Sequence, residues 1–368
     1  MCAVLAVDRL RSKIPRMVAT LRDVAEAAGV HPGTVSRALN NPVEVSAKTV
    51  ARVRKAAAKL GYVPNPNARG LKTSRSNLLG VVVPDLTNPL FPPIIRGIDD
   101  TVAERGFSAV IVNTDTDLDR EEQQVRALRA RQVDGLLVCT AMLDHPLFQR
   151  LHEEKFPLVF LVRTMADPGV SSVTGDDSAG IAMAVNHLVQ LGHRRIAHVA
   201  GPQDNSAGVR RRRAYEMALR DHDLPVDQNL IVIADQFQES GGVVAAARLL
   251  DSGADCTAVV AGNDLLALGV YDALTARGLR CPQDMSVTGF NDMPFLDKIS
   301  PPLTSVNVPR YEIGVQGARL MLEALTTPKT YRPRSVRLPV ELVVRGSTAE
   351  VGRKADIGAP PQMDVLAV

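Results

Sequence analysis

Residues 20–40 read TLRDVAEAAGVHPGTVSRALN, and the architecture of the first module turns on them. Thr20 is a natural N-cap for a helix whose apolar stripe is Leu21, Val24, Ala25 and Ala28. Gly29 ends that helix, because the tight corner that follows needs a left-handed backbone, which glycine adopts without a Cβ clash. Val30 plugs the corner. Pro32 stands at the first position of a second helix, where a missing N–H leaves no bond unmade. That helix runs to about Asn40 with Val35 and Ala38 facing inward, and small Ala25 lets the two helices approach. The spacing is that of a helix-turn-helix, a motif whose second helix enters the major groove of DNA.

The next segment extends the pattern. Ser46 caps a third helix in which Val50, Val53, Ala57 and Leu60 recur at three- and four-residue steps, and Gly61 stops it. Lys48, Arg52, Arg54, Lys55 and Lys59 cover its other face. In residues 62–76, YVPNPNARGLKTSRS, Asn65 can cap a two-turn helix over 66–72. So short a helix is marginal in water, and Gly70 weakens it by roughly 1 kcal/mol. It is expected to fold only when pinned, with Leu71 an apolar wedge between Arg69 and Lys72, a combination suited to the minor groove. A plain linker is the other reading of this stretch.

Charge separates the chain into two parts. Residues 1–76 hold 14 Lys+Arg and 4 Asp+Glu, a net +10, and residues 77–368 hold 29 and 36, a net −7. A small basic head on an acidic body is an electrostatic footprint for nucleic acid, or a solvated basic tail if it stood alone. The 368 residues suggest two or three domains at ~150 each. With 45% apolar and 23% charged residues, the composition is that of a globular chain. The unbroken apolar runs, such as 78–84 and 136–139, are too short to span a bilayer. Four cysteines, none in a C-x-x-C pair, exclude a standard structural zinc site and fit the reducing cytoplasm. No secretory signal is recognisable at the N-terminus.

From residue 78 short apolar runs alternate with amphipathic segments. Strands are expected at 79–83, 109–113, 135–139, 158–162, 196–200, 230–233, 258–261 and 286–290, and helices at 94–104, 121–131, 180–191, 212–221, 241–251 and 265–277. Alternation of this kind builds parallel sheets wound by helices, and the strand number fits two similar lobes better than one sheet. Ligands of such sheets bind at the strand C-termini. Polar residues that follow the strands are therefore candidates: Asp85, Asn88 and Phe91; Asn113, Asp115 and Asp117; Arg163; Asp176; Arg211; Asn263 and Asp264; Asn291 and Asp292.

The motifs LRDVAEAAGVHPGTVSRALN, VSAKTVARV, LGYVPN, ARGLK, LLGVVVPDLTNPLF, GHRRIAHVAGP, NDLLALGVYDAL, PQDMSVTGFND and ELVVRGST follow one another between residues 20 and 348. Together they resemble the LacI/GalR family of bacterial transcriptional repressors. The resemblance implies an all-α helix-turn-helix headpiece and an α/β effector domain of two doubly wound lobes, like periplasmic sugar-binding proteins, joined by three chain crossings. The expected domains are a disordered extension over 1–18, the headpiece over 19–63, a hinge over 64–76, an effector-binding and dimerisation domain over 77–348, and a tail over 349–368. The DNA-facing positions implied are Thr20, Pro32, Gly33, Thr34, Ser36, Arg37, Asn40, Asn65, Ala68, Leu71 and Lys72. The effector-facing positions implied are Asn88, Phe91, Asn113, Arg163, Asp176, Arg211, Gln236, Asn263, Asp264 and Asn291. Arg211, before the helix at 212–221, is the leading candidate, since a guanidinium offers planar paired donors.

The chain departs from the family pattern at several points. Gly33 offers no side chain where relatives read bases, so Thr34 and Arg37 carry more of the contact. Asn291 in GFND replaces an acid and can donate as well as accept. Gln236 stands where a stacking aromatic is usual, with Phe237 beside it, and the chain has no tryptophan. Residues 1–18 precede the usual family start, as a misassigned start at Met17 or a disordered arm. The expected partners are a pseudo-palindromic operator duplex, a second copy of the chain, and a small effector such as a sugar. No nucleotide-binding or hydrolase motif appears, and the seven histidines form no metal pair, so neither enzyme chemistry, a cofactor nor a metal is expected. His193 is expected to cap or pack. A solute-binding protein is the alternative class, and it would lack the basic head.

Overall fold

The computed structural model describes residues 19–40, 42–62, 75–166 and 169–352. Contacts divide the chain into two units, one ending at Ser76 and one beginning at Asn77. The extension 1–18, the helix at 66–72 with Asn65, Ala68, Leu71 and Lys72, and the tail beyond residue 352 lie outside the described residues.

The first unit is three helices: α1 (Leu21–Ala28), α2 (Pro32–Asn40) and α3 (Ala47–Lys59). Thr20 opens α1 with a capping box. Asp23 N–H donates to its hydroxyl at 3.4 Å while its own N–H donates back to the Asp23 carboxylate at 2.6 Å. Gly29 turns the chain at φ 60°, and Val30 N–H returns to the Ala25 carbonyl at 3.0 Å. Val24, Val35, Ala38 and Val53 lose all solvent contact where the three helices meet, with Ala25 and Ala28 beside them. Leu60 departs from expectation. It is the C-cap of α3 and 39% exposed, and Ala56 takes the core position instead, with Tyr62 packed against it.

The second unit holds two six-stranded sheets. The N lobe is built on β1 (Leu78–Val83), β2 (Ser108–Asn113), β3 (Gly135–Val138), β4 (Leu158–Leu161), β5 (Ser171–Gly175) and β11 (Ser335–Leu338), in the order β11-β5-β4-β3-β1-β2. The C lobe uses β6 (Ile196–Ala200), β7 (Ile231–Ile233), β8 (Ala258–Ala261), β9 (Ser286–Asn291), β10 (Thr304–Asn307) and β12 (Glu341–Val343), in the order β12-β10-β9-β8-β6-β7. All pairings are parallel except β10 with β12. The helices are α4 (Phe91–Ala103), α5 (Leu118–Ala130), α6 (Pro146–Glu153), α7 (Asp177–Gln190), α8 (Ser206–Asp221), α9 (Glu239–Asp251), α10 (Asp264–Thr275) and α11 (Arg310–Thr326). The chain passes between lobes three times, after β5, after β10 and after β11.

Two strands were hidden by their polarity. β5 reads SSVTG and β10 reads TSVN, yet both are buried, because their hydroxyls find partners inside. Ser172 Oγ donates to Ser335 Oγ at 3.1 Å and Ser305 Oγ to Asp264 at 2.5 Å. The edge strands β11 and β12 are too short and exposed to show an apolar run, and α6 and α11 are helices beyond those expected from the sequence. α11 returns from the C lobe to lie on α4 at close range. A Cβ on Gly97 would sit 2.2 Å from the Tyr311 carbonyl oxygen, and one on Gly314 2.0 Å from that of Ile94. This reciprocal approach locks the second crossing to the N lobe. Gly314→Ala is therefore expected to lower the unfolding free energy of the body by about 1–3 kcal/mol, read as a shifted urea midpoint with unchanged slope.

Candidate functional site

Because the strands of each sheet run parallel, their C-termini share one edge, and the two edges face each other across a cavity that is partly open to solvent. The N lobe contributes Asp85, Asn88 and Phe91 after β1, Thr114, Asp117 and Glu121 after β2, Thr140 and Met142 after β3, and Arg163 after β4. The C lobe contributes Asp204 and Asn205 after β6, Arg211 from α8, Asp235, Gln236 and Phe237 after β7, Asn263 after β8, and Asn291 at the end of β9.

Arg211 does not precede its helix. Asn205 caps α8 through Gly208 N–H at 3.0 Å, which starts the helix at Ser206, ahead of the expected 212, and puts Arg211 in its second turn. Arg211 is 5% exposed. Its Nε donates to Asp177 at 2.8 Å, its Nη1 donates to the Gly262 carbonyl at 2.7 Å, and its carbon lies 3.8 Å from the Phe290 ring centroid. Among the described residues Nη2 has no hydrogen-bond partner, so the group is rigidly aimed with one donor edge to spare. Phe237 lies within 5.8 Å of Arg163 and 5.9 Å of Arg211, and its carbonyl accepts from Asn263 Nδ2 at 3.3 Å. Burial pulls the pKa of Arg163 down against the opposing charge of Asp204, and Arg163 forms no ion pair among the described residues. Asn291 is buried at φ 113°, and its side chain makes no hydrogen bond among the described residues.

Three expected residues lie elsewhere. Asn113 is drawn away from the cavity, its carbonyl oxygen accepting Leu86 N–H at 2.7 Å and its amide bonded to Asp115. Asp176 caps α7 through Ala179 N–H at 3.1 Å, and it is the next residue, Asp177, that holds the arginines. Asp264 turns beneath the C-lobe sheet, fully buried, accepting from Ser305 and from Met293 N–H at 2.9 Å. Of the secondary candidates, Asp115 pairs with Arg120 and Asp292 with Arg345, neither in the lining. Thr114, Glu121, Thr140, Asp204 and Asp235 were not anticipated. Glu121 lies inside a helix, and a buried carboxylate there reads as surface charge. His193 packs, bonded to Thr257 Oγ1 at 2.8 Å and the Ala349 carbonyl at 3.0 Å.

Arg210 reaches across the crevice. It shares Asp177 with Arg211, at 2.9 Å, while donating to Thr164 Oγ1 at 3.2 Å and to the Val162 carbonyl at 3.5 Å in the N lobe. Thr164 N–H donates back to Ser206 Oγ at 2.8 Å, and Leu143 N–H to the Asp204 carbonyl at 2.9 Å. These bonds hold the lobes together.

In the three-helix unit Pro32, Gly33, Thr34, Ser36 and Arg37 lie on the solvent side of α2, opposite buried Val35 and Ala38. The His31 ring, not anticipated, caps α2 by accepting Gly33 N–H at 3.1 Å. Arg37 Nε donates to the Gly33 carbonyl at 3.3 Å and is otherwise exposed. Nothing is described of the Asn40 side chain. No helix among the described residues is long and apolar enough to cross a membrane.

A three-helix DNA-reading unit followed by a two-lobed binding body defines a ligand-responsive DNA-binding regulator. The family model for bacterial regulatory proteins of the lacI family matches residues 20–65, and that for periplasmic binding proteins and the sugar-binding domain of the LacI family matches 76–345. The chain is 37% identical over 335 residues to the HTH-type transcriptional regulator CelR of Thermobifida fusca, covering 89% of this chain and 98% of that one. A solved CelR–cellobiose complex superposes with a TM-score of 0.69 at 35% identity, covering 89% and 99% of the two chains. The lac repressor dimer bound to operator and the anti-inducer ONPF gives 0.80 at 29% identity, covering 90% and 99%. The chain belongs to the LacI family and is a DNA-binding transcriptional regulator with an effector-binding domain.

Two predictions follow from the body's charges. Arg210→Ala is expected to loosen closure by about 1.5–3 kcal/mol, seen as a larger radius of gyration in X-ray scattering with a cooperative melt retained; an unchanged radius would deny the bridge. Burial pushes the Asp264 carboxyl up to about 6, so the folded state bears the cost of its charge above that pH and sheds it as the pH falls toward the unfolded value. Asp264→Asn should stabilise the protein at pH 7.5 by about 1–3 kcal/mol, and urea titration at pH 5 should show a smaller gain.

Proposed function

We propose that this chain is a dimeric repressor that binds a paired-half-site operator and is switched by a small polyhydroxylated metabolite, a sugar or close relative, held between its lobes. The observation that carries the reading is the pairing of an exposed α2 face with a crevice whose two walls both supply fixed polar groups. In the proposed division of the chain, 19–63 is the headpiece, 64–76 a hinge with Leu71 as its wedge, 77–348 the effector and dimerisation domain, and 1–18 and 349–368 are appendages. Thr34 and Arg37 reach base edges, while Thr20, Ser36, Asn40 and the cations of α3 hold phosphates. Arg211, Arg163, Asn88, Phe91, Gln236, Asn263 and Asn291 surround the effector. A saccharide is supported by the cellobiose held by CelR and by the ribose bound to the LacI-family regulator of Enterococcus faecium.

Dimer formation is supported by exposed apolar side chains along equivalent sheet edges, Ile111 on β2 and Ile233 on β7, with Val244 on α9 and Phe295. The protein acts in the cytoplasm, where its DNA lies, and catalyses no reaction. An exported solute-binding protein is disfavoured because such a protein has no use for the basic headpiece.

Fluorescence anisotropy with the duplex upstream of the gene itself tests the reading. Full-length protein should bind with affinity falling steeply as salt rises, and Arg37→Ala should weaken it about 5- to 150-fold, as loss of a base contact does. Absence of binding at low salt by a folded chain would refute the regulator.

A further inference from the structure

The cavity lining is unevenly charged. It carries five carboxylates, Asp85, Asp117, Glu121, Asp204 and Asp235, against two guanidinium groups, and no lysine or histidine. The cations are less free than their number suggests. Arg211 is bound to Asp177 at 2.8 Å, a carboxylate it shares with Arg210, and Arg163 feels the charges of Asp204 and Glu121.

The N-lobe wall holds Asp85, Asp117 and Glu121 against a single cation, Arg163. Here Thr114 is 1% exposed and lines the cavity, and its hydroxyl has no hydrogen-bond partner among the described residues. Buried hydroxyls rarely stay unpaired, so this oxygen is poised for a group that comes from outside the protein. Glu121 stands nearby in the same wall, 2% exposed, its carboxylate accepting from the Thr140 hydroxyl and lying 2.7 Å from His145 Nε2.

We infer that Thr114, Asp117, Glu121 and Thr140 form a charge-selective subsite that takes a hydroxyl-bearing, uncharged part of the effector and turns away its phosphorylated or carboxylated counterpart. The inference rests on the effector reading above and adds a specificity to it. A hydroxyl can donate toward the carboxylates and still accept from Thr114. A phosphate or carboxylate can only accept, and would meet a wall in which carboxylates outnumber cations. The discrimination is thus built as much from repulsion as from attraction.

The test is a thermal-shift titration of the full chain with matched pairs: ribose and ribose 5-phosphate, glucose and glucose 6-phosphate, cellobiose and cellobionate. A neutral member should raise the melting temperature, with its anionic partner binding at least about tenfold more weakly. Thr114→Val should leave the ligand-free melting temperature unchanged or higher, since it removes an unpaired hydroxyl, yet weaken the neutral ligand about tenfold. A structural role alone would show the opposite pattern. An anionic member that binds as well as its neutral partner, or full affinity in Thr114→Val, overturns the subsite and leaves the effector reading standing. Stabilisation by no member of any pair overturns the saccharide reading and the subsite with it.

Discussion

One buried carboxylate organises the effector body. Asp177 opens α7 with 4% of its surface exposed and accepts from two consecutive arginines of α8. A charge so buried is tolerable only when compensated, and the N-terminal turn of α7 adds a favourable dipole to the two guanidinium groups. The consequence is geometric. Successive residues of a helix diverge by about 100°, so two arginines that share one anion must leave it in different directions. Arg211 goes down into the cavity, braced by Phe290 and Gly262, and Arg210 goes across to Val162 and Thr164. The cavity-lining guanidinium and the bridging one are bound to the same oxygen pair, and a shift in either is felt by the other.

The topology makes such a shift usable. Three short connections join the lobes, and the first and third are tied to each other by Asp176 N–H donating to the Leu338 carbonyl at 2.9 Å. Between them the lobes can rotate as bodies while each sheet stays intact, the hinge behaviour seen where a few terminal residues absorb the motion. The close packing of α11 on α4 ensures that the second crossing moves with the N lobe and does not peel away from it.

Much of this was legible in the chain and some was not, for physical reasons. The headpiece could be read because each local signal agrees with the next: Thr20 caps, Gly29 turns, and Val24, Val35 and Val53 meet. Apolar strands such as β1 and β8 were plain, while β5 and β10 were missed because hydroxyls that are satisfied internally look, in sequence, like loop. Position after a strand located Arg163, Asn263 and Asn291 in the cavity wall, but it does not determine where a side chain points. Asp264 follows its strand as Asn263 does, yet one residue further along the helix it turns under the sheet to Ser305. Asp176 and Asp177 differ in the same way, one a cap and the other the anchor of the site. Thr114 carried no signal at all, since a lone threonine after a strand is ordinary until its hydroxyl is found buried and unpaired.

The interlobe bonds also set what an effector must do. Each is worth about 0.5–1.5 kcal/mol net, and those to Arg210 somewhat more. Inverting a two-state equilibrium from 1:99 to 99:1 takes about 5.5 kcal/mol of differential affinity. A ligand resting on one wall alone has the same contacts whether the lobes are near or apart, and shifts nothing however tightly it binds. On the proposed effector reading, the effective ligand is one that spans the crevice, touching Arg163 and Thr114 on the N lobe and Arg211 and Asn291 on the C lobe together. Its length across the gap decides its power as a switch, and its affinity for either wall decides only how much of it the protein needs.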